Sequence, residues 1–247
     1  MTVDTATPAS PMQAHCQTCR LNSLCLPLAL GLDALDDFDA IIRRRAPLKR
    51  GEALFDATTP FTHLFAVRCG SLKQSVTQAH GEERITHFYL PGELVGLDGL
   101  ASGGHPGLIQ ALETTAVCAI PFAQLDRLSG ELPELRHALY RSMSRELHDD
   151  RYWLCRLAGH TAEARLASFI IDLSHRFQRC GLSPTRFRLP MARADIGSHL
   201  GLAVETISRL MGRFQQAGLL RAARREITLL EYARLAAVAR GETPLHE

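Results

Sequence analysis

Three cysteines fall within ten residues of one another, as Cys16-x2-Cys19-x5-Cys25. Thiolates are soft ligands, and a cluster of them suits zinc or an iron–sulfur centre. A four-thiolate site needs one more donor. Four further cysteines, Cys69, Cys118, Cys155 and Cys180, are scattered along the chain, and spacing alone does not choose among them. Zinc modules usually use two short-spaced pairs, so three ligands on one stretch and a distant fourth suit a cubane better. Cys118 lies in an apolar run (AVCAI), where a small buried cysteine is the plain alternative. His15, beside Cys16, reads as a neighbour before it reads as a ligand. Cys16 and Cys19 also lack the preceding strand that a thioredoxin-like pair would have. Seven cysteines is an odd number, and disulfides do not fit a chain without an export signal.

A second chemistry lies near the other end. Residues 193–214 read RADIGSHLGLAVETISRLMGRF. Gly197 offers the small residue a helix-turn-helix needs where its helices cross. Gly201 suits a left-handed turn, and Ile196, Leu200, Leu202, Ile207 and Leu210 tie the helices together. Asp195 can cap the first helix, and Val204 opens the second. That second helix presents Glu205, Ser208 and Arg209 on one face, where a recognition helix meets base edges. Arg209 suits bidentate donation to guanine, Glu205 can accept from cytosine, and Ser208 is adaptable. An i,i+4 pair between Glu205 and Arg209 is the structural alternative and is compatible with that role. Arg213 suits phosphate or packing. Arg224 and Arg225, before the short strand 227–229, read as a wing touching the DNA backbone.

These two regions must be joined. Residues 33–44 predict a short helix with Leu35, Phe38, Ile41 and Ile42 on one side. From about 46 to 122, short alternating runs broken by glycine predict an antiparallel roll. From 122 to 158 the period is helical, and Leu139, Met143, Leu147, Leu154 and Leu157 form a coiled-coil-like stripe. Asp150 fills the position missing from that stripe, which puts it inside an apolar seam; the plain alternative is a helix packed on its own domain with Asp150 at a polar edge. Gly159 interrupts the helix, Thr161 is a plausible N-cap, and a helix over 164–178 follows. The fold class is therefore α+β. The organisation is a cysteine-rich tail over 1–30 (its first fourteen residues polar and loose), a roll over 31–125, a long helix over 126–158 and a winged helix-turn-helix over 159–247; the resemblance given below implies that the roll is sensory and the long helix a dimerisation helix.

Charge follows the same division. The 28 basic and 26 acidic residues nearly cancel over 247 positions. Yet residues 186–247 carry ten basic and six acidic side chains, a local excess that suits a phosphate partner and equally a solvated face with none. A composition of 46% hydrophobic and 22% charged residues excludes a disordered or collagen-like chain. No apolar run reaches the roughly 18–20 residues of a membrane span, and the start lacks the basic and apolar regions of a secretory signal. A cytoplasmic location is the expectation. No nucleophile–base pair or phosphate-cradling glycine loop is present, so an enzyme is not expected.

Together, HCQTCRLNSLC, QALETTAVCAIPF and VETISRLMGRFQQAGLL resemble the CRP/FNR superfamily, specifically its oxygen-sensing FNR/Anr branch. The likeness runs in order from His15 to about Leu230. It implies a [4Fe-4S] cluster on Cys16, Cys19, Cys25 and Cys118, and it is the resemblance that selects Cys118. It further implies a homodimer on double-stranded DNA at a palindrome like TTGAT-N4-ATCAA, in contact with RNA polymerase. Asp150, with Leu147 and Leu154 around it, would then act as a dimer switch. The loop 77–83 is a candidate polymerase contact, a plain hairpin turn being the simpler reading. Haem or a cyclic nucleotide is the alternative ligand within the superfamily. The second needs a Gly-Glu and an Arg-Ser pair, where this chain has Gly96-Leu97 and SGGHPGLIQA.

Overall fold

The computed structural model describes residues 15–21, 24–26, 30–79 and 81–242. The polar stretch 1–14 lies outside the described residues. Helix α1 (Leu32–Ile41) forms as its pattern requires and buries Leu35, Phe38 and Ile41. Asp39 is buried with them.

Eight strands follow: β1 (Arg43–Arg44), β2 (Ala53–Phe55), β3 (His63–Cys69), β4 (Leu72–Thr77), β5 (Glu83–Tyr89), β6 (Leu94–Val95), β7 (Leu108–Ala111) and β8 (Ala116–Pro121). They make two antiparallel sheets, ordered β1-β8-β3-β6 and β2-β7-β4-β5. Inward residues from both sheets, among them Phe65, Val67, Leu72, Tyr89, Ile109 and Val117, form the core of the roll. Gly70 is obligatory at one crossing. It has φ +80°, and a Cβ there would lie 2.5 Å from the Thr114 carbonyl oxygen.

The helical stretch after the roll is two helices, α2 (Phe122–Glu131) and α3 (Pro133–Gly159). The continuous helix expected from periodicity breaks at Leu132, because Pro133 disfavours a helical residue before it and starts a new helix itself. Leu125, Leu128, Leu135, Ala138 and Leu139 pack with Phe38, Ile41, Leu64 and Ile120 into a core shared by helices and roll.

Thr161 then caps α4 (Ala162–Arg179), its hydroxyl accepting from the Ala164 N–H at 3.3 Å. The remaining elements are β9 (Arg186–Arg188), α5 (Arg193–Leu200), α6 (Val204–Gln216), β10 (Leu220–Ala223), β11 (Glu226–Leu229) and α7 (Tyr232–Ala239). The last three strands form a sheet ordered β10-β11-β9.

This C-terminal unit is docked on the roll. The guanidinium of Arg176 donates to both oxygens of Glu93, at 2.9 and 2.6 Å, and to the Phe88 carbonyl. Lys73 pairs with Asp195 at 2.9 Å, and the Ile85 N–H donates to the Ser198 hydroxyl at 3.0 Å. Buried His199 of α5 meets Phe88 of β5, Trp153 of α3 and Phe169 of α4, with centroids 5.2, 5.3 and 5.7 Å away. Roll, long helix and helix-turn-helix therefore share one aromatic joint.

Candidate functional site

Cys16 opens a single 3-10 turn, Cys16–Thr18, and the Cys19 N–H closes it on the Cys16 carbonyl at 3.3 Å. The Cys25 N–H donates to the Leu21 carbonyl at 3.0 Å, and Leu26 drives the loop into the core that holds Leu135 and Leu139 of α3. Cys118 comes from β8, where it is paired with Ala66 of β3 on one side and Arg44 of β1 on the other. Cys16, Cys19, Cys25 and Cys118 line one cavity together with Leu21, Phe38, Ile42, Ala66, Val67, Arg68 and Ile120. None of the other three cysteines reaches it. Cys69 and Cys155 are exposed, and the Cys180 thiol meets the Pro91 carbonyl at 3.2 Å.

Asp39 fastens this loop. Its carboxylate accepts from the Cys16 N–H at 2.7 Å, pairs with His15 Nδ1 at 2.9 Å and meets the Arg44 guanidinium. His15 is thus turned onto Asp39 and is not a wall of the cavity. Burial opposes ionisation of Asp39, but bonds from Cys16 and Arg44 outweigh it and hold the carboxyl below its usual range. Burial also pushes the Cys25 thiol up to about 12 and raises Cys16 and Cys118. Such thiols stay protonated until a cation is bound among them.

Asp39 was missed by sequence reasoning, although its signal is present. With Leu35, Phe38 and Ile42 it occupies the i, i+3, i+4, i+7 positions of the buried face, where an acid demands partners. Arg68 carried no such local signal.

In the C-terminal unit, Gly201 takes φ +64° at the turn between α5 and α6. Gly197 serves the turn itself and not a crossing of helices: a Cβ there would lie 2.5 Å from the Leu202 carbonyl oxygen. Ile196, Leu200, Ile207 and Leu210 are buried between the helices. Asp195 caps α5 through the Ala192 N–H at 2.8 Å. Glu205 and Arg209 stand exposed on α6, and no ion pair joins them among the described residues. Ser208 accepts from Arg193 at 3.1 Å, a contact the sequence reading did not anticipate. Arg213 pairs with Glu163 of α4 at 2.7 Å. Arg224 is exposed at the β10–β11 turn with φ +56°, and Arg225 donates to the Pro190 carbonyl at 2.9 Å.

The stripe on α3 divides by neighbour. Leu139 is buried on the roll and Met143 packs against the same core, whereas Leu147 and Leu154 are 52% and 66% exposed. Asp150 stands between those two leucines and is also exposed. Among the described residues, no helix is long and apolar enough to cross a membrane.

A roll, a long helix with an uncovered apolar stripe and a winged helix-turn-helix make up the build of a sensory DNA-binding regulator. Two family models match: a cyclic nucleotide-binding domain over residues 45–131 and a Crp-like helix-turn-helix domain over 164–238. The "Transcriptional activator protein anr" of Pseudomonas aeruginosa is 51% identical over 231 residues, covering 93% of this chain and 94% of its own. The "Fumarate and nitrate reduction regulatory protein" of Escherichia coli K12 is 47% identical over 225 residues, covering 91% and 90%. Among solved structures, FixK2 from Bradyrhizobium japonicum superposes with a TM-score of 0.73 at 25% identity, over 80% of this chain and 97% of that one. The chain belongs to the CRP/FNR family, in its FNR/Anr branch. It is a DNA-binding transcription regulator of the FNR type and not an enzyme.

The cysteine cavity fits a polynuclear centre. Its four soft sulfur donors come from two parts of the chain and surround one space, a donor set that suits an iron–sulfur centre as well as zinc.

Proposed function

We propose that this chain is an oxygen-responsive transcriptional activator, acting in the cytoplasm, whose Cys16, Cys19, Cys25 and Cys118 hold a [4Fe-4S] cluster. The observation that carries this reading is the gathering of four of seven cysteines, from two distant parts of the sequence, around one cavity. Bound there, the cluster supplies the oxygen-reactive chemistry. The chain's own residues supply the coupling. Asp39 pins Cys16, and Leu26 seats the loop against Leu135 and Leu139, so the state of the loop bears directly on the base of α3.

In this reading residues 1–30 bind the cluster, 31–125 form the sensory roll, 126–158 dimerise and 159–247 read DNA. The homodimer binds a TTGAT-N4-ATCAA-like palindrome. Glu205, Ser208 and Arg209 meet bases, while Arg213, Arg224 and Arg225 contribute at or near the backbone. RNA polymerase is the partner of the bound dimer, as the relatives named activators suggest.

Anaerobic purification, visible absorption and iron and sulfide analysis, followed by exposure to air, test the proposal. A brown protein containing iron and sulfide that bleaches in air is expected. A colourless protein holding one zinc ion overturns it.

A further inference from the structure

One basic side chain, Arg68, shares the cysteine cavity, and its buried Nη1 has no hydrogen-bond partner among the described residues. Strands β3 and β8 pair Val67 with Val117 and Cys69 with Ala116, so Arg68 is an extra residue at a break in register. Such a bulge re-aims the side chain it contains. Arg68 becomes part of the wall of the cavity lined by Cys16, Cys19, Cys25 and Cys118. Its Nη1 is buried and makes no hydrogen bond. No acidic side chain forms an ion pair with it among the described residues, and the nearby Asp39 is engaged by Arg44. A buried guanidinium nitrogen without an acceptor costs free energy, so its position calls for a compensating anion.

Four thiolates outweigh the positive charge of an iron–sulfur core, so the loaded site is a partly buried anion beside that nitrogen. Resting on the functional reading above, we propose that Arg68 is the counter-charge of the thiolate site. It supplies a positive charge and an N–H donor that stabilise the metal–thiolate centre. Hydrogen bonds to sulfur and nearby charge are the means by which a protein sets a cluster's potential and retention.

The test uses the full chain, reconstituted without oxygen with iron and sulfide, as wild type, Arg68→Gln and Arg68→Lys. Melting of the metal-free proteins checks folding, loss of iron to a chelator under nitrogen gives retention, and a dye-mediated titration gives the midpoint potential. Arg68→Gln is expected to fold, take up the same iron, release it several-fold faster and be reduced at a more negative potential. Arg68→Lys, which keeps the charge, is expected to restore the potential. Wild-type retention and potential in Arg68→Gln overturn the proposal. Should Arg68→Gln fail to fold, Arg68→Lys decides, and a strongly negative shift there overturns it. If the wild type binds zinc instead, the cluster reading fails alone, and Arg68 is judged by whether Arg68→Gln loses zinc faster. A wild type that binds neither overturns both.

Discussion

Asp39 is 6% exposed, on the apolar face of α1, yet it has bonding partners on three sides. Removing its carboxylate strands the Cys16 N–H and leaves the Arg44 guanidinium without this partner. Losing one member of a buried pair is costlier than the pair is stabilising. Asp39→Ala is expected to lower the unfolding free energy of the metal-free protein by about 3 kcal/mol in urea titration, and Asp39→Asn, which keeps an acceptor, by less. A loss near zero for the alanine variant would refute the fastening role. At the other end, Arg209 and Arg224 are both exposed arginines with different expected readouts. Arg209→Ala should relax guanine preference at one position, by about 1–3 kcal/mol. Arg224→Ala should weaken all sites alike and reduce the salt slope by about one. Anisotropy titrations over half-site variants and salt separate the two; equal losses on every sequence for Arg209→Ala would remove it from base reading.

At the scale of elements, His199 is the pivot. Burial, reinforced by the Arg176 and Arg84 cations, pulls its pKa down to about 4 against backbone bonds at Ile85 and Thr86 that raise it. Between pH 6.5 and 4 the unfolded chain binds a proton that the folded one refuses. Stability is therefore lost as pH falls through that window, by up to about 3 kcal/mol. His199→Phe keeps an aromatic ring against Phe88, Trp153 and Phe169 without the titrating group. The wild-type minus variant unfolding free energy should rise with pH across the window, and a flat difference would contradict a neutral His199. This joint was not legible in the sequence, because its four rings come from four elements whose docking no local pattern specifies. The helix-turn-helix was legible because its glycines and apolar positions act within about twenty residues. The Cys16–Cys25 spacing was legible for the same reason. Cys118 became a wall of the cavity only through strand register, and Arg68 only through a break in it. Periodicity carried the long helix past Leu132, where Pro133 divides it, and placed Leu139 and Met143 in a stripe that they leave for the roll.

For the whole molecule, those two residues offer the proposed switch a route from the cysteine loop to assembly. Leu26 shares a core with Leu139, while Leu147 and Leu154, farther along the same helix, are largely exposed among the described residues. A single chain also presents one recognition helix, and a palindrome needs two, about 34 Å apart. Pairing α3 with a second copy would meet both needs. In such a pair Asp150 would oppose association, since its helical position would bring its carboxylate between Leu147 and Leu154 and toward its counterpart across the proposed seam. Two carboxylates brought together in an apolar seam repel each other and lose hydration. In the proposed switch, loop packing at the base of α3 would have to outweigh that repulsion before the dimer forms. Asp150→Ala is accordingly expected to tighten dimerisation of the metal-free protein at least tenfold in sedimentation equilibrium, about 1.4 kcal/mol. Leu154→Glu should abolish it in the same background. An unchanged association constant for Asp150→Ala would take the residue out of the seam, and dimerisation that survives Leu154→Glu would take the stripe out of it too.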